Sequence, residues 1–153
     1  MIISIGADHW GIEMKNFIIM NLRTSGVVIN NYGPNEDDGK KVDYVDYAIR
    51  VGEDIKKNAA DFGILICKTG IGMSIACNKV KNVRCAKVST EEEAFLSRTD
   101  ENANVIAISS EMDKEEALTI IKTFLKTKFL LEERYIRRIN KIKNYENGKH
   151  GEV

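Results

Sequence analysis

Proline is almost missing from this chain. Only Pro34 occurs in 153 residues, so hardly any segment is barred from a helix or sheet interior. Histidine occurs twice, at His9 and His150, and no His, Cys, Asp or Glu cluster has the spacing of metal ligands. No metal or other cofactor is expected. The three cysteines, Cys67, Cys77 and Cys85, form no C-x-x-C pair. An odd count without a secretory leader points to reduced thiols in the cytoplasm. Neither sign of charge is in excess. The 23 Lys and Arg balance 23 Asp and Glu, which argues against nucleic acid or an anionic membrane as a partner. No apolar run approaches the ~20 residues of a membrane span, and Met1-Ile2-Ile3 enters a strand with no signal-peptide pattern. What is present is ordinary for a soluble globular protein, with 43% hydrophobic and 30% charged residues. The length suits one domain, expected over residues 1–143, followed by a polar tail over 144–153 that holds His150.

The most informative stretch runs from Asp61 to Lys79. Phe62 to Ile66 is a continuous apolar run, the pattern of a strand buried on both faces. It stops at Cys67. Thr69-Gly70-Ile71-Gly72 then turns the chain, and Met73 to Val80 suits a helix, with Ile75, Ala76 and Val80 at helical spacing. In a parallel sheet, ligands bind beyond the carboxyl ends of the strands. The first N–H groups of a helix lack partners and favour anions. This stretch can therefore set a thiol beside a place for negative charge. Plainer readings stand next to that one. A buried thiol often serves as a small hydrophobe, and glycines after a strand are often only a turn. The Gly-Lys-Ser/Thr ending of a P-loop is missing, and Ile75 stands where the third glycine of a dinucleotide fingerprint belongs.

Around this stretch the chain alternates strands and helices. Ile2 to Ile5 reads as a strand, and a helix over about Gly11 to Thr24 carries Ile12, Phe17, Ile18 and Leu22 near helical period. Asp8 and His9 fall between them, at the carboxyl edge that also holds Cys67. Asp8 is equally suited to cap a helix. Val27 to Asn30 reads as a second strand. Asp43 to Lys57 reads as a helix with Val45, Ile49 and Ile55 on one side, and Tyr44 and Tyr47 facing either core or cleft. Arg84 to Val88 is a strand, followed by a capping pattern at Ser89 and Glu92 and a helix whose buried side is Ala94-Phe95-Leu96. Val105 to Ile108 is a fifth strand. Asp113 then caps a helix with an apolar face of Ala117, Ile120, Ile121, Phe124 and Leu125. Glu132 to Lys143 is a basic segment with Arg134, Arg137 and Arg138, which on its own reads as a solvated helical face. Cys77 and Cys85 have no chemical neighbour in sequence and read as core. The pattern implies an α/β fold: a three-layer α/β/α sandwich, Rossmann-like, around a five-stranded, mainly parallel sheet.

The motifs Gly6-Ala7-Asp8-His9, Val42-Asp43-Tyr44, Gly63-Ile64-Leu65-Ile66-Cys67, Thr69-Gly70-Ile71-Gly72-Met73-Ser74, Asn78-Lys79-Val80 and Leu96-Ser97-Arg98 resemble, in that order, the ribose-5-phosphate isomerase B family. That family extends to galactose-6-phosphate isomerase subunits and allose-6-phosphate isomerase. The likeness spans about residues 1 to 142. It implies a metal-free aldose–ketose isomerase that interconverts ribose 5-phosphate and ribulose 5-phosphate, a homodimer or dimer of dimers with sites shared between subunits. Residue by residue, Cys67 resembles the base that moves a proton between C1 and C2. Thr69 resembles the hydroxyl that assists ring opening, and the Gly70-Ile71-Gly72 backbone the loop that holds the enediolate oxygens. Asp8 resembles the contact to sugar hydroxyls; His9, Arg134 and Arg138 resemble the phosphate binders. The chemistry agrees. A helix N-terminus or nearby cation converts a thiol to the thiolate that such a base requires, and fixed N–H groups stabilise an oxyanion. Arginine forks suit phosphate, and positions 134 and 138 share a helix face.

The chain departs from the family at several places. Lys68 stands where a glycine is usual, and Asp100-Glu101 where the family has a His-Asn pair with a ring-opening histidine. Glu111 replaces a basic residue, Glu132-Glu133 replaces Gly-Gly, and Tyr44-Val45-Asp46 replaces Tyr-Pro-Asp. These changes gather at the sugar-binding end. They keep two alternatives open: a hexose-phosphate isomerase, acting on galactose 6-phosphate or allose 6-phosphate, and a non-catalytic sugar-phosphate-binding regulator.

Overall fold

The structure is a computed structural model that describes residues 1–149; His150 and the rest of the expected tail lie outside the described residues. In chain order the elements are β1 (Ile2–Ala7), a 3-10 turn (His9–Gly11), α1 (Ile12–Arg23), β2 (Val28–Tyr32), α2 (Tyr44–Lys56), β3 (Phe62–Cys67), α3 (Ile71–Cys77), β4 (Cys85–Lys87), α4 (Glu91–Thr99), β5 (Val105–Ser109), α5 (Lys114–Lys126) and α6 (Glu133–Glu146). The sheet order is β2-β1-β3-β5-β4, and every pairing is parallel. That is the expected α/β/α sandwich, with no antiparallel strand among the described residues. β1, β3 and β5 lie inside the sheet, which explains their mostly apolar sequences, interrupted in β1 by the buried Ser4.

Side chains alternate across a strand, so the sheet feeds two cores. Ile3, Ile5, Ile64, Ile66, Ile106 and Ile108 pack under α1, α4 and α5. Leu65, Cys67, Val105 and Ala107 pack under α2 and α3. Cys67 thus faces the α2/α3 side. Asp8, one residue past the inward-facing Ala7, follows the same alternation onto that side.

Helix faces depart from the sequence pattern more than strands do. On α2 the buried positions are Ala48, Val51, Gly52 and Ile55, while Val45 is exposed. On α3 they are Met73 and Cys77, and Ile75 is exposed. On α4, Phe95 and Leu96 are about half exposed, and Arg98 takes the inner place. Its guanidinium lies 4.9 Å from the Phe62 ring and 5.7 Å from the Phe124 ring, and donates to the carbonyls of Ala103 and Thr127. The cap of α4 is also one residue later than expected. Thr90 accepts from the Glu93 N–H, and the Glu93 carboxylate accepts from the Thr90 N–H. Asp113 caps α5 as expected, accepting from the Glu116 N–H. The helix α6 continues through residues 144–146, past the expected start of the tail. None of the described helices is long and apolar enough to cross a membrane.

Candidate active site

Cys67 ends β3 and is 5% exposed. Its sulfur accepts the Gly70 N–H at 3.1 Å. That bond requires a tight turn, and Gly70 makes it with φ +79°, a left-handed conformation. A Cβ at Gly70 would stand 3.0 Å from the Ile108 backbone. The glycine therefore serves both the turn and its seat on β5.

Thr69 is exposed, and its Oγ1 accepts the Ile71 N–H at 3.2 Å. Its own hydroxyl proton is left free to donate. The expected oxyanion groups are thus sorted by use. The N–H groups of Gly70 and Ile71 are already engaged, whereas those of Gly72 and Met73 find no acceptor among the described residues. With seven residues, α3 has a small dipole, so these local N–H groups carry any anion preference. Gly72 sits under the ring of Tyr44, where a Cβ would come within 2.6 Å of the ring. Tyr44 therefore lies at the head of α3, half exposed. Tyr47 packs at the edge of the core that holds Cys67.

Asp8 follows β1 and is 4% exposed. Burial raises its pKa above the ordinary carboxylate value; the Trp10 N–H, donated to Oδ1 at 3.0 Å, and the neighbouring His9 oppose that rise. The capping reading of Asp8 is thus also correct: it caps the 3-10 turn. His9 accepts the Val42 N–H on Nδ1 at 3.2 Å. An acceptor at Nδ1 puts the proton of the neutral ring on Nε2, which is then a donor. Lys68 does not share the Cys67 side. Its Nζ stands 4.7 Å over the Trp10 ring and 4.0 Å from the Glu111 carboxylate.

Arg134 and Arg138 are elsewhere. The segment from α5 to α6 passes the end of α4, where Leu130 donates its N–H to the Thr99 carbonyl. The far half of α6 borders a cleft of about 290 Å³ with Val83, Arg84, Glu101 and Ala103, at the amino ends of β4 and β5. Both arginines are exposed, and Arg134 pairs with Glu132 at 3.0 Å. No hydrogen bond or ion pair among the described residues joins either to Cys67, Thr69 or His9. Asp100 caps the end of α4 at that same amino end.

Two features carry no signal in the sequence. Lys15 lies on a helix that reads as amphipathic, yet it is fully buried. Its Nζ donates to the carbonyls of Tyr32 and Gly33 and to Oδ1 of Asn35, and burial lowers its pKa to about 8. Cys77 is buried and shares a hydrogen bond with the half-buried free thiol of Cys85 across the α3–β4 connection; that hydrogen bond first, then burial, pushes the Cys85 thiol up. No three His, Cys, Asp or Glu side chains among the described residues gather as a metal site would require.

A thiol with a donor on its sulfur, two free N–H groups beyond it, and a carboxylate and imidazole on the next strand suit proton transfer next to a sugar carbonyl. A sequence model of the ribose/galactose isomerase family matches residues 3–142, and the chain belongs to that family. The crystal structure of ribose-5-phosphate isomerase B from Mycoplasma genitalium with bound ribulose-5-phosphate is 42% identical, with a TM-score of 0.90 over 95% of this chain and 96% of that one. Ribose-5-phosphate isomerase B from Clostridium thermocellum is 35% identical, with a TM-score of 0.91 over 98% of this chain and 100% of the other. The type B ribose 5-phosphate isomerase of Trypanosoma cruzi is 36% identical, with a TM-score of 0.90 over 97% and 99%.

Proposed function

We propose that this chain is an aldose–ketose isomerase that interconverts ribose 5-phosphate and ribulose 5-phosphate, with Cys67 as the base. The observation that carries the reading is the Cys67 sulfur, buried at a strand end with the Gly70 N–H aimed at it. The 42% identical relative with ribulose-5-phosphate bound supports the choice of sugar.

The steps follow from the groups in place. Thr69, its oxygen held by the Ile71 N–H, gives its proton to the ring oxygen as the C1–O bond breaks and takes up the proton of the anomeric hydroxyl, so that the sugar opens to the aldehyde. The Cys67 thiolate takes the proton from C2 of the aldose. The electron pair moves into an enediolate, and its charged oxygen meets the N–H groups of Gly72 and Met73. The O2 proton passes to O1, and Cys67 returns its proton to C1 as C2=O forms, which gives the ketose. Asp8 accepts from sugar hydroxyls, and the Nε2–H of His9 donates to the phosphate.

Arg134 and Arg138 are the remaining phosphate ligands, supplied by a second copy of the chain. Their place at the amino end of the sheet favours this arrangement over one within a single chain. Asp100 and Glu101 would enter the neighbouring site the same way. The test is isomerisation by the purified protein of ribose 5-phosphate, allose 6-phosphate and galactose 6-phosphate side by side. Turnover of the pentose that disappears in Cys67→Ala is the expected result. Activity on a hexose phosphate alone would re-assign the sugar, and binding without turnover on all three would leave a regulator.

A further inference from the structure

We propose that Lys68 is a positioning residue whose side chain ties the Cys67 loop to the Asp8–His9 turn through Trp10 and to the end of β5 through Glu111. The proposal rests on the isomerase reading of the Cys67 loop. Lys68 lies between Cys67 and Thr69, but alternation turns its side chain to the α1/α5 side of the sheet. There the ammonium meets the Trp10 ring at 4.7 Å and the Glu111 carboxylate at 4.0 Å. Trp10 donates its N–H to Asp8, and its ring centroid is 5.4 Å from that of His9. On the other side, the Ser109 hydroxyl donates to the Lys68 carbonyl at 2.6 Å, and the Glu111 N–H donates to that hydroxyl at 3.1 Å. One side chain thus meets groups from the ends of the three inner strands, β1, β3 and β5.

The backbone shows why a tether matters here. At the end of β3 the Ser110 N–H donates to the Cys67 carbonyl at 2.9 Å, so β3 and β5 are well joined. Between β1 and β3 the last bond, from the Asp8 N–H to the Ile66 carbonyl, is 3.4 Å long. That weak seam separates the proposed base from the proposed sugar and phosphate ligands. Lys68 crosses it. Its pairing with Glu111 is exposed and worth little alone. The stack is the stronger part, because the lysine stem also covers a ring that is 53% exposed.

An exposed stack of this kind corresponds to about a two- to fivefold change in an equilibrium or rate. Lys68→Met is expected to lower kcat by about that factor, with KM for ribose 5-phosphate and the melting temperature unchanged. Lys68→Arg, which keeps a stacking cation, restores kcat. Trp10 is the only tryptophan, so its emission reports the stack directly. Saturating ribose 5-phosphate shifts that emission in the wild type, and Lys68→Met removes the shift. An unchanged kcat in Lys68→Met, or an emission response that the substitution leaves intact, overturns the tether. The two readings fail differently. Wild-type protein without turnover, but with an emission response abolished by Lys68→Met, loses the isomerase assignment and keeps the tether.

Discussion

At the carboxyl end of the sheet, Cys67 and Asp8 are each at most 5% exposed, and Cys67, Thr69, Asp8 and His9 each hold a hydrogen bond from the backbone. At the amino end, Arg134 and Arg138 stand exposed on α6, other residues of which line open grooves. The first region is finished within one chain. Its polar side chains have backbone partners, and its backbone has one left-handed turn that only glycine makes easily. The second leaves its arginines on the surface, with Arg134 paired to the neighbouring Glu132. The contrast is what the proposed division of labour calls for, with proton transfer preorganised in one chain and phosphate capture completed by a neighbouring copy.

The most damaging change to the finished end is Cys67→Ala. Loss of a positioned base costs about 10²- to 10⁴-fold in turnover. Folding should be nearly untouched, because alanine fills most of the same space, and a melting curve beside the rate assay checks both halves. For the open end, Arg134→Ala and Arg138→Ala are each expected to raise KM about ten- to a hundredfold with a smaller change in kcat. The sharper version mixes copies. Cys67→Ala chains refolded with Arg134→Ala/Arg138→Ala chains regain activity if a site takes its base from one chain and its arginines from another. No recovery would place both sets of groups in one chain and dissolve the contrast.

Asp8→Asn probes the cost of building the finished end. The folded carboxyl has a raised pKa, so its contribution to stability is present at low pH and is lost as pH rises through that folded value. At neutral pH the buried charge therefore opposes folding. The variant should melt higher than the wild type at pH 7 and lose that advantage near pH 3, while its turnover falls by about tenfold. The smallest effect is a pH dependence. Lys15 titrates near 8 when folded and near 10.5 when unfolded. Between those values the unfolded chain holds the extra proton, so wild-type stability rises with pH relative to Lys15→Met. Urea unfolding at pH 7.5 and pH 10 reads the difference.

Much of this is legible in the amino-acid order alone. The inner strands are, because short, mostly apolar runs between turn signals suit strands covered on both faces, β3 most clearly. The Cys67–Gly72 turn is, because its chemistry is local: thiol, hydroxyl and glycines within six residues. Helix faces are not. Whether Phe95 or Arg98 points inward depends on Phe62 and Phe124, which come from other elements. Lys15 is hidden for the same reason, since its three oxygen partners belong to the end of β2 and the segment after it. The arginines stand out by residue type, but their distance from Cys67 is a property of topology, which no local pattern records.

One consequence of α6 lies in how the protein behaves on dilution. If the α6 arginines serve a neighbouring copy, as proposed, specific activity is not a constant. Per milligram, the rate should hold steady at high concentration and then fall away as association is lost, with inorganic phosphate or substrate delaying the fall. Assays run at nanomolar protein would then report the assembly equilibrium as much as the chemistry.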